Sequence, residues 1–193
     1  TCEESRHEVH RMRGEFDAVM IGRGTAESDN PSLTIHSVPG RNPMRIILDT
    51  HCSLPLTLNV FNDEYRGLTL YCHGEHSNQL ERLGQLRELG VRTIPCSIGE
   101  HQHIDIPSLL ITLGREFGIG SILVEGGGIL MQELMEHSLL DELHLFIAPI
   151  MIGQGKKAAG AYTASTLEQA YRLNCKGVLK SGDDIHVISV KSA

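Results

Sequence analysis

Tryptophan is absent from this 193-residue chain and aromatic residues make up 4 % of it, so no stacking platform for nucleic-acid bases is evident. Positive charge is in deficit: 17 Lys and Arg against 24 Asp and Glu leave a net charge of −7. That balance excludes a general nucleic-acid or polybasic membrane binder, and any phosphate must be held by a few local groups. Long hydrophobic runs are missing too. The longest, LFIAPIMI at 145–152, is far too short to cross a bilayer and contains Pro149. With no signal-peptide pattern, the chain reads as soluble and cytoplasmic. Its five cysteines (Cys2, Cys52, Cys72, Cys96 and Cys175) are scattered, odd in number and form no C-x-x-C pair. Reduced thiols suit that pattern better than a disulfide framework or a zinc site.

Catalytic signatures are also lacking. Eleven histidines include no H-E-x-x-H, and HCSLP, CHGEH and EHQHID have no matching second cluster, so no metal is expected. CHGEH reads as a surface turn. PCSIG at 95–99 does not complete the P-C-x-x-C of a zinc deaminase, and no G-x-S-x-G elbow or Cys–His nucleophile pattern occurs.

What is present is an alternation of strand-like and helix-like segments, the sign of a largely parallel sheet with crossover helices. The opening stretch carries two candidate capping boxes, Thr1/Glu4 and Ser5/Glu8, and runs helical to about Phe16. Strands are expected at 17–22, 44–49, 67–72, 91–96 and 121–125, with helices at about 77–89 and 107–117 and from the glycines to about His137. A long strand is expected over 141–153, then a hairpin turning at Gly182-Asp183 that closes the sheet. Without repeats or linkers, residues 1–193 read as one α/β domain.

The richest stretch is VEGGGILMQELM at 124–135, where three glycines separate an apolar run from an amphipathic helix. Ligands of open α/β sheets collect beyond the strands' carboxyl ends, where helix N-termini offer unpaired N–H groups. Glycine lets an anion approach the backbone and permits positive φ. A phosphate cradle and a ligand-free tight turn both satisfy this pattern, which is neither a Rossmann fingerprint nor a Walker loop. GRGTAESDNPSLTIH at 22–36 reads as a polar loop after a strand, a typical place for binding groups. IGQGKKAAG at 152–160 offers Lys156 and Lys157, although a solvated loop explains it as well. Arg6, His10 and Arg13 share one helix face, either as a solvated basic strip or with Arg13 reaching the sheet edge to clamp an anion.

Three blocks, EESRHEVHRMRGEFDAVMIGRGTAESDNPSLTIH, PMRIILDT and ILVEGGGILMQELMEHSLLDELHLFIAPIMIGQG, resemble the reductase domain of bacterial riboflavin biosynthesis, the C-terminal half of a bifunctional deaminase–reductase. The resemblance implies a dihydrofolate-reductase-like three-layer α/β/α fold with a mostly parallel mixed sheet and a C-terminal antiparallel hairpin. It also implies NADPH-dependent reduction of the ribosyl group of 5-amino-6-(5-phosphoribosylamino)uracil to ribityl. Cofactor contacts are implied at Thr25, Asp29, Thr50, Gly126, Gly127, Gly128 and Ile129. Substrate contacts are implied at Arg13, Leu33, His36 and Glu125, with Glu125 as the catalytic group facing the sugar. Family members usually carry Arg where this chain has His36, and they begin with a strand and an S-x-D-G-[KR]-like turn ahead of the first helix. A homodimer is implied, fused to or paired with a deaminase domain. Another NADPH reductase of the same fold, or a non-catalytic nucleotide-binding domain, remain the alternatives.

Overall fold

The computed structural model describes residues 1–192 apart from Ser37, Glu100 and Lys156, so the expectation for Lys156 lies outside the described residues. β1 (Ala18–Gly22), β2 (Met44–Leu48) and β3 (Thr69–Gly74) are short and almost wholly buried, as strands covered on both faces must be. With β4 (Arg92–Cys96) and β5 (Ile122–Val124) they form a five-stranded sheet, β4-β3-β2-β1-β5, in which every neighbouring pair is parallel.

Alternate strand residues feed two cores. Met20, Ile46, Leu70 and Ile94 pack with Leu109 and Leu113 of α5 (Ile106–Phe117) and with Leu130 and Leu134 of α6 (Gly128–Glu136). Val19, Ile47 and Tyr71 pack on the opposite face beneath α2 (Arg23–Asp29), α3 (Asn59–Asn62) and α4 (Leu80–Glu88), against Ala26, Phe61, Leu83 and Leu86. The result is the expected helix–sheet–helix layering. α5 is bounded by residues that suit its ends: Asp105 accepts from Ser108 N at 2.8 Å, Pro107 lies in the first turn, and Gly118 closes it at φ 64°.

The strand order positions the site. From β1 to β4 the chain steps outward in one direction; α5 then crosses back and β5 joins the other side of β1. The carboxyl ends of β1 and β5 therefore flank a reversal point, where ligands of such sheets lie.

Several expectations change. β6 (Glu142–Ile147) stops short of the long strand expected over 141–153, because Pro149 has no N–H to donate and Ile150 N turns back to Ala148 O at 2.8 Å. The hairpin of β7 (Leu173–Ser181) and β8 (Asp184–Lys191) turns where expected, with Gly182 at φ 58°. It closes on β6 instead of the larger sheet, giving a separate antiparallel β6-β8-β7 sheet; among the described residues no ladder joins β5 to β6. The 22–36 stretch is not wholly a loop: Arg23–Asp29 is helical, supported by an Arg23–Glu27 pair at 3.0 Å and the left-handed Asn30 cap. In CHGEH, Cys72 and His73 are buried strand residues and only Glu75-His76 forms the turn. All five cysteines are free.

α1 (Glu3–Glu15) joins the two sheets. Neither capping box forms, because the small sheet recruits those groups: Ser5 Oγ donates to Ser181 Oγ at 3.0 Å and Cys2 N to Asp184 Oδ2 at 2.8 Å, while Glu8 binds Arg11. Two histidines are caught in this junction. His10 is held below the usual imidazole range by burial and then by the Arg13 charge, and His186 by burial and then by His144. Between the depressed and the ordinary value of about 6.5 the unfolded chain binds more protons, so this stability is full above about pH 6.5 and is lost as pH falls. Melting curves from about pH 7.5 to about pH 5 are expected to drop accordingly, and less steeply in H10Q/H186Q. An unchanged slope in that variant would contradict the assignment.

Candidate functional site

The glycine turn follows β5, and each glycine has its own reason. Gly126 and Gly127 adopt φ 76° and 94°, which side chains with a Cβ rarely tolerate. A Cβ on Gly126 would stand 3.3 Å from Thr25 Oγ1, and one on Gly127 3.6 Å from it, so Thr25 in the first turn of α2 lies against the bare backbone. Both glycines and Ile129 are exposed, leaving an open cradle at the start of α6 that would suit a diphosphate. Gly128 is different. Its Cβ would lie 2.8 Å from both Gly160 N and Lys157 O, so its bareness serves the approach of the 157–160 loop. Gly128→Ala is accordingly expected to cost about 1–3 kcal/mol in chemical denaturation; wild-type stability would contradict that packing.

Glu125 leaves β5 with its N–H bonded to Met20 O at 3.0 Å, which fixes its backbone beside β1. Its carboxylate is gripped from α1 by a two-bond fork, Arg13 Nε to Oε1 and Arg13 Nη2 to Oε2, both 2.6 Å. Arg13 Nη1 also donates to Thr34 O at 2.9 Å. The anion that Arg13 clamps is thus the chain's own acid. Among the described residues, three of the five guanidinium N–H groups are used. The side chains are 13 % and 20 % exposed, enough to meet a ligand yet shielded enough for strong electrostatics. Arg6, His10 and Arg13 line a cavity of about 180 Å³ between α1 and Phe146 of β6.

The other expected residues are spread around this centre. His36 is exposed, its Nε2 3.0 Å from Thr34 Oγ1, and its ring meets His10 edge-on at 5.2 Å. Leu33 is 1 % exposed and its side chain belongs to the core, so only its backbone could meet a substrate. It adopts φ 55°, a costly angle for a bulky residue, and arginines brace its neighbours: Arg45 binds Ser32 O and Arg13 binds Thr34 O. Asp29 sits one α2 turn beyond Thr25, exposed and accepting from Ser28 Oγ at 2.7 Å. Thr50 follows β2 and opens onto a cavity of about 500 Å³, shared with His51, Gly74, His76, Ser77 and Gln102.

Gly74 was not among the expected site residues. Its Cβ would meet Thr50 O at 2.9 Å and Ile98 Cδ1 at 3.0 Å, so only glycine lets these strand ends converge beside the cavity. The one signal was its place at the end of an apolar strand, which the flanking histidines masked. Arg45 was also missed. It is fully buried in β2 and donates twice to Asp63 and once each to Ser32 O, Val60 O and Thr69 Oγ1.

The chain is similar to known proteins over nearly its whole length. The sequence pattern of the RibD C-terminal domain matches residues 1–187. A 2,5-diamino-6-ribosylamino-4(3H)-pyrimidinone 5′-phosphate reductase of Archaeoglobus fulgidus is 34 % identical over 163 residues, covering 79 % of this chain and 71 % of the relative. A riboflavin biosynthesis protein RibD of Actinobacillus pleuropneumoniae is 31 % identical over 96 % of this chain, which spans 49 % of that protein. A solved deaminase/5-amino-6-(5-phosphoribosylamino)uracil reductase from Thermotoga maritima superposes with a TM-score of 0.77 at 26 % identity, over 99 % of this chain and 50 % of its own. The chain thus spans about half the length of its RibD relatives, and by sequence and fold together it belongs to the RibD C-terminal domain family.

Proposed function

We propose that this chain is an NADPH-dependent reductase of riboflavin biosynthesis, converting the ribosyl group of 5-amino-6-(5-phosphoribosylamino)uracil to ribityl. One observation carries the reading: an open glycine turn and an arginine-fixed carboxylate are adjacent at the sheet's reversal point. The turn suits the diphosphate of a dinucleotide, with Thr25 beside it. Thr50 and His51 in the larger cavity are suitable partners for the adenosine end.

When bound, the dinucleotide would supply the hydride that adds to C1′ of the protonated, ring-opened imine, so that C1′=N⁺–H becomes H–C1′–N–H. The chain's part is positioning and electrostatics. The Glu125 carboxylate stabilises the positive charge of the protonated C1′ imine, and its free lone pairs accept from ribose hydroxyls. Arg13 holds that carboxylate in one orientation through its two-bond fork, with Arg6 and His10 nearby. Turnover followed by loss of NADPH absorbance tests the proposal. Oxidation that requires the phosphoribosylaminouracil supports it; cofactor binding without oxidation would leave a nucleotide-binding domain instead.

The Archaeoglobus relative favours a second substrate, the 2,5-diaminopyrimidinone named for that enzyme, which carries an amine where the uracil has an oxo group. The ratio of kcat/KM for the two compounds decides between them.

We further propose a homodimer through the face of the small sheet turned away from α1. Leu145, Ile147, Val178 and Ile185 lie exposed there in register. I147K/I185K is expected to elute as a monomer where the parent elutes as a dimer; a monomeric parent would contradict this. A deaminase domain, fused or separate, would supply the substrate.

A further inference from the structure

Away from the glycine turn, the far end of α6 meets the loop between β4 and α5. His101 from that loop and Glu133 and Glu136 from α6 bring one ligand atom each to within 4.8 Å of one another. His101 Nε2 stands 3.3 Å from Glu136 Oε2, and His137 Nε2 stands 3.7 Å from Glu133 Oε2. The histidine run EHQHID had no second cluster in the sequence; α6 supplies it, as ELMEH, from more than one helix away. α5 and α6 cover the same face of the sheet, which is why the two segments meet.

Glu133 is the telling member. It is 8 % exposed, a burial that carboxylates seldom reach unless paired, and the His137 ring stands 3.7 Å from it. No hydrogen bond to its carboxylate occurs among the described residues. Glu136 is prepared differently: Gln132 Nε2 donates to its Oε1 at 2.8 Å, which leaves Oε2 turned to His101. That is how an outer partner orients a metal-binding carboxylate.

We propose that His101, Glu133 and Glu136 bind a divalent transition ion of the zinc class, with a fourth position left to water. Imidazole nitrogen with carboxylate oxygen selects such ions over magnesium or calcium, which prefer all-oxygen shells. Bonds of about 2.0–2.1 Å in a tetrahedron place neighbouring ligand atoms about 3.3 Å apart, the separation already present between His101 and Glu136. The bound ion neutralises the two carboxylates and staples the loop holding Gly99 and Gln102, which line the larger cavity, to the helix that begins at the glycine turn. This site is independent of the reductase reading.

The test uses the full chain, stripped with chelator and titrated with Co²⁺ and then Zn²⁺ in the absence of nucleotide. One equivalent of Co²⁺ per chain is expected, with visible absorbance that Zn²⁺ displaces and a rise in melting temperature. H101A and E133Q should each weaken binding at least tenfold. His101 is on an exposed loop, so H101A remains decisive if E133Q does not fold. Failure to take up either ion, or uptake unchanged in H101A, overturns the site.

Discussion

Glu125→Gln is expected to lower kcat on the order of 100-fold, the usual cost of removing one group aimed at developing charge. The substitution keeps size and removes only the charge. An amide presents one acceptor and two donors, so one prong of the Arg13 fork, 2.6 Å long in the parent, would face an N–H. Stability should therefore fall as well, by about 2 kcal/mol, less than for a fully buried pair because both side chains keep some exposure. The two effects separate by experiment. Turnover measured at saturating substrate and cofactor, on protein verified as folded, reports charge stabilisation alone. R13K separates them from the other side: it keeps a cation near Glu125 but loses the fork, so KM should rise more than kcat falls. Near-normal turnover in Glu125→Gln, with only a lower melting temperature, would make Glu125 a structural residue.

Asp63→Ala should be more damaging to the fold than any change at the surface. All five N–H donors of Arg45 are engaged inside the protein, and Asp63 is their only charged partner. Removing it leaves a cation fully buried among neutral acceptors, a loss of about 3–5 kcal/mol. Against a total stability of roughly 5–15 kcal/mol, that lowers the melting temperature by about 10 °C. Because the penalty comes from the stranded charge, Arg45→Met in the same chain should restore part of the loss. The effect also reaches the site, since Arg45 holds Ser32 next to the strained Leu33 and Thr34, which Arg13 grips. Unchanged melting in Asp63→Ala would contradict this account of the core.

Local signals in the sequence were sufficient for most elements. Apolar runs marked β1 to β5, and the three glycines with Glu125 marked the turn at the reversal point. What stayed hidden depends on partners far apart in the chain. Arg13 and Glu125 are 112 residues apart, and neither carries a mark of the other. Arg45 carried no mark either, because its burial depends on acceptors from three other segments. The capping boxes misled for the same reason: Ser5 and its neighbours met stronger partners in the hairpin than in their own helix. The two sheets could not be told apart either, since strand patterning reports which face is buried and not which edge is paired.

The central claim is that a nicotinamide dinucleotide lies against the main chain of the glycine turn, beside Glu125. Amide chemical shifts of ¹⁵N-labelled protein titrated with NADPH test it directly. The largest changes should fall on Gly126, Gly127, Gly128 and Ile129, with Thr25 moving alongside. Saturable binding that leaves those amides unmoved, or no binding at all, would contradict the account.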